Sequence, residues 1–285
     1  MVRVQVLSST VSLNLHKGRE TIHKFALLVL TFMLGFCSML AFGQEIHYEQ
    51  NFDGLADGDL AGQDGWEVGP PADALGAVSV IITPDVKRGP TGKSVEVNTF
   101  QAVIREFDPK IDSGVNFLSV WFRFETLAAQ AGGDNNTLHV YMGDTAREWN
   151  AGPVIRIGAQ SGGDVDDVGV HDGGAQKPVG KIKVGEWQHI LEIIDVGKQT
   201  HSVYLDGALV AEDFAWRNPA AHLAVGWLMI GFAGGDPGFE GVIGYYDNLI
   251  IGAGGKNVAD TTIRQVEPVE LIGKLATQWS AVKAY

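Results

Sequence analysis

The feature that most constrains this chain is a set of short segments whose apolar residues fall at every second position. The clearest is FLSVWFRFE, residues 117–125, where Leu118, Val120, Phe122 and Phe124 share one parity and Phe117, Ser119, Trp121, Arg123 and Glu125 share the other. Neighbouring side chains of an extended strand point to opposite faces, so this pattern buries one face and leaves the other polar and aromatic. It returns in 137–142, with Leu138, Val140 and Met142 against Thr137, His139 and Tyr141, and in 154–159, with Ile155 and Ile157 against Val154 and Arg156. In 201–206, Val203 and Leu205 oppose Ser202, Tyr204 and Asp206. Further strand-like runs lie at 45–52, 77–82, 94–98, 102–107, 187–196, 227–233 and 242–251, separated by Gly, Asp, Asn and Pro. Strands with one apolar and one polar face are antiparallel in character, and so many of them predict an all-β fold of two sheets packed through their apolar sides. No long helical periodicity interrupts them, which disfavours an α/β fold.

Long loops are expected at 53–65, 68–76, 126–136, 143–152 and 160–180. The last contains GGDVDDVGVHDGG and reads as a surface loop; it lacks the Asp-x-Asp-x-Asp-Gly spacing and closing Glu of an EF-hand.

The two ends differ from this body. Residues 25–42, FALLVLTFMLGFCSMLAF, are uncharged and apolar; Lys17, Arg19 and Lys24 precede them, and the small-x-small site Ala41-Phe42-Gly43 follows. Positive start, apolar middle and small-residue exit predict a secretory signal peptide over 1–43, with membrane anchoring by 25–42 as the alternative. Cys37 is the one cysteine, and the bulky Phe36 before it breaks the bacterial lipobox pattern, so it leaves with the signal. An exported domain without disulfides then depends on a large core. At the other end, 253–268 reads as a linker and VELIGKLATQWSAVKAY as an amphipathic helix, with Val269, Ile272, Leu275, Trp279 and Val282 at three- and four-residue steps behind Pro268. That stripe packs on its own sandwich or serves as a handle for a surface or protein partner.

Charge narrows the partners. There are 34 Asp+Glu against 21 Lys+Arg, a formal net charge of −13. Binding the phosphate backbone needs a basic patch, so nucleic acid is excluded as a partner. Gly-x-Ser-x-Gly, Walker, dinucleotide and His-Glu-x-x-His signatures are absent from the sequence.

One stretch resembles a known family. GEWQHILEIIDVGKQTHSVYLDGALVAE, residues 185–212, is similar to the Gly-x-Trp-His … Tyr-x-Asp-Gly segment of laminin-G-like, concanavalin A-like jelly rolls, through Trp187, Tyr204, Asp206 and Gly207. FLSVWFRFE resembles that family's core strand, YYDNLII its closing strand, and HYEQNFDGLADGDLAGQDGW the opening of secreted carbohydrate-binding jelly rolls. The resemblance covers about 45–252 and implies a single jelly-roll domain over 44–252. It also implies that first and last strands are neighbours joined by a structural Ca²⁺, with carboxylates from Glu49 and Asp247 and the backbone oxygen near Lys93 as ligands. The function it implies is left open, because this architecture hosts lectins, enzymes and adhesion domains.

The polar parity supplies the candidate ligand surface. Trp121, Arg123, Glu125, His139, Tyr141 and Arg156 form one concave face if their three strands are neighbours, and aromatic and charged groups of this kind suit a sugar polymer. Trp149 and Trp216, in turn-rich segments, are further candidates to stack on a sugar. Two enzyme readings are open to test against motifs. A laminarinase-type glycosidase needs Glu-x-Asp-x-x-Glu or Glu-x-Asp-x-Glu on one strand face; Glu192-Ile193-Ile194-Asp195 puts its carboxylates on opposite faces, so that reading is rejected. A polysaccharide lyase resembling the jelly-roll alginate lyases needs Arg, Gln, His and Tyr on the concave sheet, and Arg123, His139 and Tyr141 are candidates for part of that set. The Arg-x-Glu-Leu-Arg and Gln-Ile-His blocks of those lyases are replaced here by Arg-Phe-Glu-Thr and Thr-Leu-His. The expectation is an exported, non-catalytic, calcium-supported module for a polysaccharide or glycan; a lyase on uronate polymers and a protein-binding adhesion module are the alternatives.

Overall fold

The computed structural model describes residues 45–69, 79–88, 92–98, 101–127, 136–144, 151–159, 164–232 and 242–266. The expected signal segment 1–43, Trp149 and the expected helix beyond Pro268 lie outside the described residues. Everything described falls in one compact unit, Glu45–Tyr285.

In chain order the strands are β1 (Ile46–Gln50), β2 (Gly58–Asp59), β3 (Trp66–Val68), β4 (Ile81–Thr83), β5 (Ser94–Val97), β6 (Ala102–Ile111), β7 (Val115–Thr126) and β8 (Asn136–Gly143). They continue as β9 (Val154–Ala159), β10 (Asp167–Asp172), β11 (Ala175–Lys181), β12 (Gln188–Asp195), β13 (Thr200–Leu205), β14 (Ala208–Ala215), β15 (Val225–Phe232) and β16 (Ile243–Ala253). A helix, α1 (Lys256–Val266), follows. The strands form two antiparallel sheets: a nine-stranded one ordered β14-β13-β12-β7-β16-β5-β4-β2, with β1 also on β16, and a seven-stranded one ordered β11-β10-β9-β8-β15-β6-β3. First and last strands are neighbours, with Glu49 opposite Ile250 and Gln50 opposite Leu249.

The core lies between the sheets, and alternation fills it as expected. Leu118, Val120, Phe122 and Phe124 are fully buried and belong to one cluster with Leu138, Val140, Met142, Ile155, Ile157, Leu228 and Ile230 from the other sheet. Burial of each such side chain is worth roughly 1.5–3 kcal/mol, so a core of this extent stands without disulfides.

Two expectations are corrected. Within the expected loop 160–180, β10 and β11 form a hairpin across Gly173 and Gly174. Val168 and Val170 alternate into the core while Asp167, Gly169 and His171 take the outer parity, so the Gly/Asp content hid a strand. The expected linker 253–268 contains α1, whose Ala259 packs with Phe117, Leu191 and Ile250 on the outer face of the nine-stranded sheet, flanked by Val258, Ile263 and Tyr204. Spacings of one, four and five between those helical residues put one apolar stripe against the sheet.

Candidate functional site

The six residues expected on a single surface divide between the two sheets. Trp121, Arg123 and Glu125 stand on β7 in the nine-stranded sheet, whereas His139 and Tyr141 on β8 and Arg156 on β9 stand in the seven-stranded one. Both groups take the parity pointing away from the core, so they lie on opposite outer faces of the sandwich.

On the nine-stranded face the indole of Trp121 is already flanked. The Arg88 guanidinium lies 4.6 Å from its ring centroid, and the His189 ring sits at 4.8 Å, tilted by 36°. Burial first, and then the Arg88 charge, pushes the His189 imidazole down to about 4, and Nε2 meets the Ser119 hydroxyl at 2.8 Å. Arg123 gives Nε and Nη2 to Glu125 Oε2, at 3.0 and 2.7 Å. These side chains chiefly satisfy one another.

The seven-stranded face is built differently. Register sets Tyr141 between Met229 of β15 and Val154 of β9, and His139 between Gly231 and Arg156. Two apart on one strand, the His139 and Tyr141 rings stack at 4.4 Å and 18°. Arg156 donates from Nε to the Tyr141 hydroxyl, and its guanidinium carbon is 5.6 Å from the Tyr141 ring centroid. Ala102, Ile104, Ala151, Val154, Trp227 and Met229 form an apolar floor with Tyr141. Thus half of the expected surface, His139, Tyr141 and Arg156, is brought together, and Arg123 is not part of it.

Three residues that the sequence reading missed complete this face: His171 on β10, Gln176 on β11 and Trp227 on β15. Glycines make room for two of them. A Cβ on Gly143 would lie 2.3 Å from Trp227 Cζ2, and one on Gly169 would lie 1.9 Å from the Gln176 amide nitrogen. The indole therefore leans over Gly143 and the amide over Gly169. The outward parity of Trp227 within WLMIGF was available in the sequence; His171 and Gln176 were masked by the misread hairpin.

Electrostatics keep both histidines of the face neutral. Burial holds the His139 imidazole well below its ordinary value, and the nearby Arg156 and Arg217 charges and His171 press it further the same way. His171 is pushed down to about 3 by burial, then by Arg156 and Arg217. Two core residues fix the backbone beneath them: Tyr246 donates its hydroxyl to the His139 carbonyl at 2.8 Å, and His201 Nε2 meets the His171 carbonyl at 2.8 Å.

The other expected site residues are placed as follows. Trp216 is fully buried in the main core, its Nε1 directed to the Thr200 carbonyl at 3.3 Å, so no sugar can stack on it without unpacking the sandwich. Glu49 is exposed on β1. Asp247 is nearly buried on the neighbouring β16 and accepts from the Asn248 amide at 2.7 Å. Lys93 gives its amide to Asp53 at 2.8 Å, and its ammonium to the Leu55 carbonyl at 2.6 Å and to Asp57 at 2.8 Å. Glu49 and Asp247 carry hard oxygen ligands of the type calcium takes, on the neighbouring strands β1 and β16. A second acidic group, Asp164, Asp166 and Asp167, has the spacing to hold a metal ion. Its carboxylates each lie 2.8 Å from the Lys181 ammonium, which they hold well above the ordinary lysine range.

No protein-family model matches the chain, and no curated protein matches it in sequence. Solved structures do resemble it. The globular domain of T. cruzi calreticulin superposes with a TM-score of 0.51 at 12% identity, over 84% of this chain and 99% of that one. A sialidase superposes with a TM-score of 0.50 at 12% identity, over 75% of this chain but only 19% of its own, so the chain spans about a fifth of that enzyme's length. At such identities the likeness is one of architecture, and it agrees with the strand order: this chain is an all-β sandwich of two antiparallel sheets, closed by a short C-terminal helix.

Proposed function

We propose that the protein is an exported, non-catalytic carbohydrate-binding module of laminin-G-like jelly-roll type. Its ligand face is the outer surface of the seven-stranded sheet around His139, Tyr141 and Arg156. The observation that carries the reading is the convergence of these three with Trp227 over an apolar floor. Aromatic rings take the C–H faces of a pyranose, and Arg, Tyr and neutral imidazoles bond its hydroxyls. The groups are shielded from solvent in the structure, so binding exchanges that shielding for the ligand. A signal peptide over 1–43 and a structural Ca²⁺ held by Glu49, Asp247 and the Lys93 carbonyl belong to the same proposal; in a domain without disulfides a bound cation adds directly to folding stability. A glycan array with calcium present, followed by calorimetry on the best polysaccharide, tests it. Binding to wild type that is lost in Arg156→Met supports the proposal; no binding to any glycan overturns it.

A second reading is favoured by one arrangement. Arg156 takes the place expected for Arg123 and joins His139 and Tyr141 into an Arg–His–Tyr set. In β-elimination on a uronate, neutral His139 would take the C5 proton as the C4–O bond breaks and a C4–C5 double bond forms. Tyr141 would give its own proton to the departing oxygen, and Arg156 would hold the uronate carboxylate. New ultraviolet absorbance on incubation with alginate, abolished in His139→Ala, supports this reading over the first.

A further inference from the structure

On the same face, and resting on the proposal that it binds glycan, a second set of side chains identifies what kind of glycan is read. Trp227 Nε1 and the Gln176 amide oxygen are buried and meet no hydrogen-bond partner among the described residues. The His171 ring lies against the Gly173 backbone, yet among the described residues neither of its nitrogens, both buried, completes a hydrogen bond of ordinary geometry. A buried polar atom left unbonded is costly, because it has given up water without gaining a replacement partner. Three such side chains on one outward face, with glycines cleared to seat two of them, mark a surface built to be completed by something else.

Their chemistry is mixed. The indole N–H only donates, the amide oxygen accepts, and a neutral imidazole does one of each. A carboxylate only accepts, so it cannot bond the amide oxygen or the imidazole acceptor, and a uronate would have to offer its ring hydroxyls there instead. A hydroxyl donates and accepts, and matches the whole set. The positions are also spread out. Trp227 on β15 and Gln176 on β11 are separated by β8, β9 and β10, four strand spacings, or roughly 19 Å, which a chain of several linked sugar rings spans and a monosaccharide does not.

We infer that Trp227, His171 and Gln176 form a hydroxyl-reading track across the sheet that takes a neutral oligosaccharide lying perpendicular to the strands. His139, Tyr141 and Arg156 sit midway along it.

The test is calorimetric titration of the full chain with cello-, laminari-, xylo- and manno-hexaoses and with a hexameric oligoalginate. Trp227→Phe keeps the ring and removes the N–H; Gln176→Leu keeps the volume and removes the amide; urea unfolding confirms that both fold. The expected result is binding of at least one neutral hexaose, weakened roughly three- to tenfold by each variant, as loss of one net hydrogen bond implies, while Trp121→Phe on the opposite face has no effect. Binding of the oligoalginate alone overturns the neutral track and leaves glycan binding standing. Neutral binding unchanged in both variants also overturns the track alone. No binding by any probe overturns the track and the glycan-binding reading together.

Discussion

Between the two sheets the Glu192 carboxylate and the His201 imidazole meet at 2.5 Å, Oε1 to Nδ1, and both side chains are fully buried. The other ring nitrogen of His201 faces the His171 carbonyl at 2.8 Å. A carbonyl can only accept, so Nε2 carries a proton whether the one shared with Glu192 rests on the ring or on the carboxyl. The pair thereby ties β12 and β13 of one sheet to β10 of the other, directly behind His171. Two further bonds reinforce this seam: Gly173 N to the Ala215 carbonyl at 2.8 Å and Ala215 N to Asp172 Oδ1 at 3.1 Å.

Removing one partner of a buried pair strands the other, at a cost of about 3–5 kcal/mol. Glu192→Ala is therefore expected to lower stability by that order in urea unfolding, and Glu192→Gln, which can still bond the ring, by clearly less. An unchanged midpoint in Glu192→Ala would show that the pair does not hold the sheets together.

Stability should fall in mild acid. His171 is depressed to about 3 and His189 to about 4 in the folded chain, and His139 well below its ordinary value. The unfolded chain takes up protons on these rings near pH 6.5, whereas the folded one does not until much lower. Their contribution is thus complete above about pH 6.5 and is lost progressively as pH falls toward the folded values. Thermal unfolding from pH 8 to pH 4 should show Tm dropping below about pH 6.5, less steeply in His189→Asn. Parallel slopes for variant and wild type would refute the assignment for that ring.

Gly143→Ala should disturb the ligand face more than the fold. The new Cβ meets the Trp227 ring at 2.3 Å, so the indole must swing away; overpacking of this kind costs roughly 1–3 kcal/mol. Glycan affinity is expected to fall by more than the urea midpoint suggests. Full affinity in this variant would remove Trp227 from the site.

Calcium separates two acidic groups. Under the proposal, calcium raises Tm in wild type, and Asp247→Asn removes the effect. Asp166→Asn should leave it intact, because Asp164, Asp166 and Asp167 are already bridged by the Lys181 ammonium, which occupies the point where an ion would sit. A calcium response abolished by Asp166→Asn but not by Asp247→Asn would relocate the site.

The architecture was legible wherever a strand has one wet and one dry face, because parity then records burial. Leu118, Val120, Phe122 and Phe124 obey it without exception. It fails at β10, where glycine and aspartate dominate and only Val168 and Val170 reach the core, and at α1, whose stripe of Val258, Ala259 and Ile263 is too short to stand out from a linker. The site was half legible for a different reason. Parity says that Trp121 and His139 both point away from the core, but not in which sheet each strand lies. Strand order, which separates β7 from β8, arises from long-range pairing that alternation does not encode. Trp216 was misjudged because its turn-rich neighbourhood gave no sign that Gly152 leaves room for the indole to enter the core; a Cβ there would sit 2.9 Å from the ring.

That the seven-stranded face, and not the nine-stranded one, meets the ligand is the proposal on which the site assignment depends. Its most direct test is nuclear magnetic resonance titration of the full chain with a neutral hexaose, following the indole and backbone amide signals. The Trp227 indole signal and the amides of His139, Tyr141, Arg156 and His171 should shift together with one saturating dissociation constant, while Trp121 and Arg123 stay still. Shifts gathered around Trp121 and Arg123, with Trp227 unmoved, would contradict it.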